Sequence, residues 1–463
     1  MARRGKPDPL QALLGSVGER VPARCRHFGT CGGCDLQDLP YEVQPALKRR
    51  LIEQALADAG VAAEVAATVP ALDPWRYRNK IEASFAAADG RVIVGFGPKG
   101  RWYDRFDLQE CPIAPEWMTR AVEIARHWAR EAGAPAYDQR TQQGFLRYLA
   151  LREGRTTGAR IVNLVTAAGD FDPGGFARAM AEVRPSAALR FASFGTPRVP
   201  QDPEGQDRPC GSEGHPEWCR GAVVRTLHTG PSAAVRFERV EVLAGEPRFE
   251  EKVAGLALSL SLDSFFQTNT LMAERMYEHV REVALRGGAP HPSPPPQRGE
   301  GTARMSPHPT PPPQRGEGSG RIGCTLDLYC GVGSIGLLLA PDAESVLGVE
   351  EVEAAVVRAR ENARRNGITN AEFICARAEK FAVEAGRYDL AVLDPPRAGC
   401  SKRVLRHLVE AGVPRMIYVS CSPAALARDL AYLGEWYAIG TVQPFDLFPQ
   451  TRHVEAVVEV KRQ

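Results

Sequence analysis

The chain carries almost no net charge and no long apolar run. Lysine and arginine total 58 against 56 aspartates and glutamates, a formal net charge of +2 over 463 residues. Any nucleic-acid footprint must therefore be a local patch, not a globally basic surface. No run of about 18 or more apolar residues appears, which excludes a membrane-spanning helix at this level of reading. The opening segment MARRGKPDPLQALLGSVGER has neither the apolar core nor the small-residue cleavage site of a secretory leader, so a cytoplasmic protein is expected. An even cysteine count is missing too. Eleven cysteines cannot close a complete disulfide framework, and the clustering of several of them favours metal or catalytic roles. The length suggests two or three domains, each able to bury its own core.

Three stretches differ in pattern. Residues 1–70 hold the cysteine-rich CRHFGTCGGC, Cys25 to Cys34, followed by a helical pattern from about Tyr41 to Ala59 with Leu47, Leu51, Ala55 and Leu56 on one face. Residues 71–263 carry strand signals such as KIEASFAA, RVIVGFG and RIVNLVT, one helical run near Glu116 to Glu131, and a Gly/Pro-rich excursion from Gly195 to Gly221. They predict a mixed, mainly antiparallel β domain. Residues 264–463 alternate strand and helix patterns, the signature of a doubly wound, Rossmann-like α/β sheet. PHPSPPPQRGEG (Pro290–Gly301) recurs as PHPTPPPQRGEG (Pro307–Gly318). This low-complexity repeat cannot bury a core, and it marks a disordered insertion at about 287–320.

The chemistry concentrates in the last stretch. DLYCGVGSIG places Gly331, Gly333 and Gly336 where a strand turns into a helix, so that backbone can approach a ligand. Glu350, ending the next strand, suits the ribose hydroxyls of NAD or of S-adenosylmethionine alike. LDPPR, Leu393 to Arg397, favours a methyltransferase, because Asp-Pro-Pro at a fourth strand end marks many of them and not dehydrogenases. Cys421 in YVSCSPAALAR follows a buried strand, at the carboxyl edge where such sheets hold ligands. A thiolate there can add to C6 of uracil and make C5 able to attack a methyl sulfonium. The C5 proton must then leave, and Glu455 in PQTRHVEAVVEV is the candidate base. A buried small hydrophobe and a surface charge are the plain alternatives for the two residues.

SFFQTN (Ser264 to Asn269), DLYCGVG, GVE, LDPPRAG, YVSCSPAALARDL and DLFPQTRHVE stand in the order found in RNA 5-methyluridine (uracil-5-) methyltransferases of the RumA and TrmA type, which the chain resembles from Cys25 onward. The resemblance implies S-adenosylmethionine contacts at Gln267, Tyr329, Glu350 and Asp394, the nucleophile at Cys421 and the proton acceptor at Glu455. RNA cytosine-5 methyltransferases usually place a second cysteine directly after the Asp-Pro motif. Here that position is Arg397, and Cys400 lies three residues on, so uridine is the expected base. A noncatalytic iron-sulfur RNA-binding protein is the rival of another class.

Cys25, Cys31 and Cys34 form C-x5-C-x2-C, with Cys111 in ECPI as a fourth thiolate, a set that by spacing suits zinc or an iron-sulfur cluster. The resemblance to the RumA-like branch implies a 4Fe-4S cluster on these four. Members of that branch usually begin with a small β-barrel for RNA, which is expected to be missing here. Cys210, His215 and Cys219 form a weaker metal candidate, and the remaining cysteines read as packing residues. Arg76, Arg78, Lys80, Arg91, Lys99, Arg101 and Arg105 interleave with Tyr77, Phe85, Phe96, Trp102 and Tyr103, a pattern that grips phosphates and stacks bases or, equally, packs a sheet. The expected partner is RNA, ribosomal first and transfer RNA second, bound by a monomer.

Overall fold

The structure, a computed structural model, describes residues 9–286 and 322–463 apart from 16, 102–103, 170–171, 182, 184–220, 231–238, 246 and 263. The Pro-rich repeat, nearly all of the Gly195–Gly221 excursion, Cys210, His215, Cys219, Trp102 and Tyr103 lie outside the described residues.

Strands β1 (Lys80–Ala88), β2 (Arg91–Phe96), β3 (Phe106–Asp107), β4 (Leu146–Glu153), β5 (Arg160–Thr166), β6 (Gly221–Leu227) and β7 (Arg239–Gly245) form one sheet in the order β3-β2-β1-β4-β5-β6-β7. Its neighbours are antiparallel except β5 and β6. Alternate residues Ile81, Ala83 and Phe85 of β1 point to one face, where the helix Glu116–Glu131 covers them with Trp117, Met118, Ala121 and Ala125. The other face is covered as well. Ile161, Ala222 and Val224 pack with the hairpin β8 (Arg248–Val253) and β9 (Leu256–Ser261) and with the helix Thr270–Arg286. Burial on both faces explains why β5 reads as a nearly continuous apolar run.

A second sheet contains β10 (Ile322–Leu328), β11 (Ala343–Glu350), β12 (Ala371–Cys375), β13 (Leu390–Leu393), β14 (Arg415–Ser420), β15 (Tyr437–Ile439), β16 (Gln443–Phe445) and β17 (Glu455–Arg462), ordered β12-β11-β10-β13-β14-β17-β15 with β16 beside β17. β10 to β14 are mutually parallel, and β17 enters antiparallel against β14. The chain moves from β10 outward to β12 and then returns to β13 on the other side. A crevice therefore opens beyond the carboxyl ends of β10 and β13. Both faces of this sheet are packed, as parallel strands require.

The helix Gln44–Asp58 packs on the helix Pro423–Leu433, which covers this second sheet, with Ile52 and Leu56 among Leu426, Leu430 and Leu433. Lys48 Nζ, fully buried, lies 2.5 Å from Asp446 Oδ1, also fully buried, and donates to Phe448 O at 2.9 Å. Tyr41 Oη donates to the second oxygen of Asp446, and Gln44 is hydrogen-bonded to Gln450. Among the described residues no helix is long and apolar enough to cross a membrane.

Candidate active site

The glycine-rich turn begins where β10 ends. Tyr329 has φ 64°, a costly conformation for an aromatic residue, and it is held there because the Tyr329 and Cys330 amides both donate to Val349 O, at 2.9 and 3.2 Å. Gly333, φ 85°, caps the helix Ser334–Leu339, and a Cβ on it would stand 3.0 Å from the Phe373 ring. A Cβ on Gly336 would stand 2.7 Å from Asp327 Oδ2, the atom that accepts the Gly336 amide at 2.9 Å. Asp327 Oδ1 has no hydrogen-bond partner. Burial pushes the Asp327 carboxyl up to about 8, with the nearby carboxylates Asp394 and Glu350 adding to the rise and the Gly336 amide opposing it, so its neutral form is favoured beneath the turn. Glu350 accepts from the Gly331 amide at 3.1 Å and the Val352 amide at 2.9 Å, which ties the end of β11 to the turn.

Sheet topology supplies the rest. β13 runs into Asp394 and β14 into Cys421, while β17, antiparallel to β14, starts at Glu455 with Ala456 opposite Ser420. The ends of two parallel strands and the start of an antiparallel one thus meet at one edge. Gln267 arrives from the turn that precedes the helix Thr270–Arg286. All six sequence-predicted residues, Gln267, Tyr329, Glu350, Asp394, Cys421 and Glu455, line a single cavity of about 960 Å³. Phe265, 71% exposed, and Arg397 and His453 line it as well. Sequence reasoning left Arg397 without a role and passed over Phe265. The only signal for either was membership in SFFQTN and LDPPR.

Burial dominates the electrostatics of this cavity. It pushes the Asp394 carboxyl up to about 7, and it pushes Glu455 well above the usual carboxylate range, with Asp394 adding to that rise and Arg397 opposing it. The Cys421 thiol is pushed up to about 11 by burial first and then by Glu455 and Asp394, again against Arg397. His453 is pushed down to about 4 by burial and by Arg397, which leaves it neutral. Burial therefore favours the protonated forms of these acids, and Arg397 is the cation that opposes it at Cys421 and Glu455. Cys400 is buried in the wall. Its amide donates to Tyr418 Oη at 3.2 Å and to Asp429 Oδ2 at 2.8 Å, and burial raises its thiol to about 12.

Cys25, Cys31, Cys34 and Cys111 converge on a second cavity of about 500 Å³. Among the described residues no three His, Cys, Asp or Glu side chains are grouped as a metal ion requires, so the four thiols do not form a ready-made single-ion site. Burial raises all four thiols, Cys34 to about 12 and Cys111 to about 11. Arg78 lines the same cavity, and its buried Nε has no hydrogen-bond partner.

Several other sequence expectations change. Tyr77 and Phe85, read as base-stacking candidates, are buried, Phe85 in the core under the Glu116–Glu131 helix and Tyr77 donating to Pro449 O. Of the cysteines read as packing residues, Cys330 and Cys400 are buried, Cys324 is half-buried and Cys375 is exposed at the end of an outer strand.

A family model for tRNA (uracil-5-)-methyltransferases matches residues 319–463. An uncharacterized RNA methyltransferase of Caldanaerobacter subterraneus is 33% identical over 98% of this chain and 89% of its own. Another from Thermosynechococcus vestitus is 33% identical over 95% of this chain and 84% of its own. Among solved structures, the Pyrococcus abyssi tRNA (uracil-54, C5)-methyltransferase in complex with S-adenosyl-L-homocysteine superposes with a TM-score of 0.65 at 26% identity, covering 92% of this chain and 85% of that one.

Proposed function

The chain belongs to the uracil-5-methyltransferase family and is an S-adenosylmethionine-dependent RNA methyltransferase, and from that premise we propose that it methylates C5 of a uridine in ribosomal RNA through a covalent adduct at Cys421. The observation that carries this reading is the convergence of Gln267, Tyr329, Glu350, Asp394, Cys421 and Glu455 on one cavity.

In the proposed mechanism the Cys421 thiolate adds to C6, and the π electrons shift so that C5 becomes enolate-like. C5 attacks the donor methyl group; the carbon-sulfur bond of the sulfonium breaks and leaves a neutral thioether. Glu455 accepts the C5 proton, and the electrons of that C–H bond reform the C5–C6 double bond and expel the thiolate. Two features of this chain serve these steps. Arg397 offsets the charge of Cys421 and of Glu455, which burial otherwise keeps protonated. Asp394, in the wall of this cavity, and Asp327 beneath the glycine-rich turn would gain ionised character from a sulfonium bound in the cavity, because opposite charge restores the ionised form that desolvation suppresses. Cys400 is buried in the wall, three residues past the position directly after the Asp-Pro motif, and its placement supports uridine over cytosine as the base.

Cys25, Cys31, Cys34 and Cys111 would hold a 4Fe-4S cluster, whose contribution would be structural, since methyl transfer to uridine needs no redox step. A cavity of about 500 Å³ with four thiols on its wall and an unpaired buried guanidinium nitrogen suits an anionic group larger than one ion. Transfer RNA is the second substrate reading, favoured by the likeness to the Pyrococcus abyssi enzyme.

The test is tritium release from ribosomal and transfer RNA that carry [5-³H]uracil and lack 5-methyluridine. Release from ribosomal RNA that depends on S-adenosylmethionine is expected. Release from transfer RNA alone moves the substrate, and release from neither, with donor bound, overturns the reaction.

A further inference from the structure

The two cavities share a wall. Thr268 lines both, Gln267 lines the catalytic one, and Arg78 and Lys80 line the cysteine one. Asn79, between Arg78 and Lys80 in sequence and 6% exposed, joins these surfaces with its own hydrogen bonds. Its amide nitrogen donates to Thr268 O at 2.8 Å. Its Nδ2 donates to Gln267 O at 2.9 Å and to Thr270 Oγ1 at 3.0 Å. Its carbonyl accepts the Glu153 amide at 2.8 Å, which anchors it to the central sheet. Asn269 then pins the same turn from the other side by donating to Leu447 O at 3.1 Å, next to cavity-lining Phe448.

Only a side chain with two donors on one atom can serve Gln267 O and Thr270 Oγ1 together. Aspartate would present acceptors to acceptors, and alanine would leave a buried carbonyl unpaired. We propose that Asn79 is a positioning residue for binding of the methyl donor, fixing the backbone from which Gln267 enters the catalytic cavity. This rests on the reading of Gln267 as a donor contact. It does not depend on which RNA is methylated.

Calorimetric titration of the full-length protein with S-adenosylhomocysteine tests it through a double-mutant cycle. Gln267→Ala is expected to weaken binding about 10-fold and Asn79→Ala about 5-fold, with the double variant no weaker than Gln267→Ala alone. A purely structural asparagine would lower the melting temperature and leave the two effects multiplicative, which overturns the proposal. Asn370→Ala removes a comparable cap, two bonds to Ala340 O and Ala343 O, and is expected to keep wild-type affinity. Asn79→Ser retains one donor, is expected to bind with intermediate affinity, and serves if the alanine variant does not fold. Wild-type affinity in the Asn79 variants, or in Gln267→Ala, also overturns the proposal. Tritium release remains a separate readout, so loss of the uridine reading and loss of this one are distinguishable.

Discussion

The catalytic cavity and the cysteine cavity lie on either side of Thr268 and share a physical problem that they solve with opposite placement of charge. Each gathers acids whose protonated forms burial favours: Asp394, Glu455 and Cys421 in one, four thiols in the other. In the catalytic cavity the opposing cation, Arg397, stands exposed at the wall, whereas in the cysteine cavity Arg78 is half-buried, with its Nε sealed from solvent. An exposed cation leaves the acids free to change protonation during turnover. A sheltered one would favour lasting ionisation of thiolates that held the proposed cluster. The first arrangement suits a reaction, the second a resident group.

The strongest test of that contrast is Cys421→Ala, expected to lower methyl transfer and tritium release by at least about 1,000-fold while S-adenosylhomocysteine still binds within a few-fold. Transfer surviving in that variant would break the assignment. Glu455→Gln is expected to slow release about 100-fold or more and to trap a protein-RNA adduct stable in denaturing gels. Because burial favours the neutral form of Glu455, the neutral variant is expected to fold as well as wild type, and a large fall in melting temperature would contradict that direction.

On the proposed cluster assignment, Cys111→Ser is expected to lose iron and acid-labile sulfide together in elemental analysis. Full iron retention would remove Cys111 from the ligand set. Asp327 and Asp394 have folded values of about 8 and about 7, above those of the unfolded chain, so their stabilising effect is complete below about pH 4 and disappears as pH rises through 7 and 8. At about 1.4 kcal/mol per unit, denaturation between pH 4 and 8 should show a loss of a few kcal/mol from each. Asp327→Asn should flatten the slope; an unchanged slope would mean that Asp327 is ionised in the native state. The smallest effect is expected from replacing residues 287–320 with a short Gly-Ser linker, a change within about 0.5 kcal/mol in denaturant unfolding.

How much of this was legible follows from how locally each feature is encoded. Gly333 and Gly336 announce a strand-to-helix turn because the steric demand lies within a few residues, and Cys421 and Glu455 each stand at the end or start of a strand with a readable pattern. Asp327, in the same motif as Tyr329, gave no sign that its carboxyl would be raised. Its pKa comes from burial and from Asp394 and Glu350, which reach it only after the sheet closes. Asn79 was invisible for the same reason, since its partners lie 188 and 191 positions away. The alternation of Tyr77 and Phe85 with arginines was visible but ambiguous. Alternation shows that a strand has two faces and not which of them meets solvent, and here both faces are covered.

The buried pair of Lys48 and Asp446 bears on how such an enzyme can be recombined. A chimera that grafts residues 322–463 onto a different RNA-binding partner would carry Asp446 away from Lys48, the buried cation it pairs with. The graft would strand an acid in a dry interior at a cost of several kcal/mol. The helix Gln44–Asp58 must travel with the catalytic sheet, so shuffling at the low-complexity boundary is disfavoured, whereas exchange of the intact chain is not.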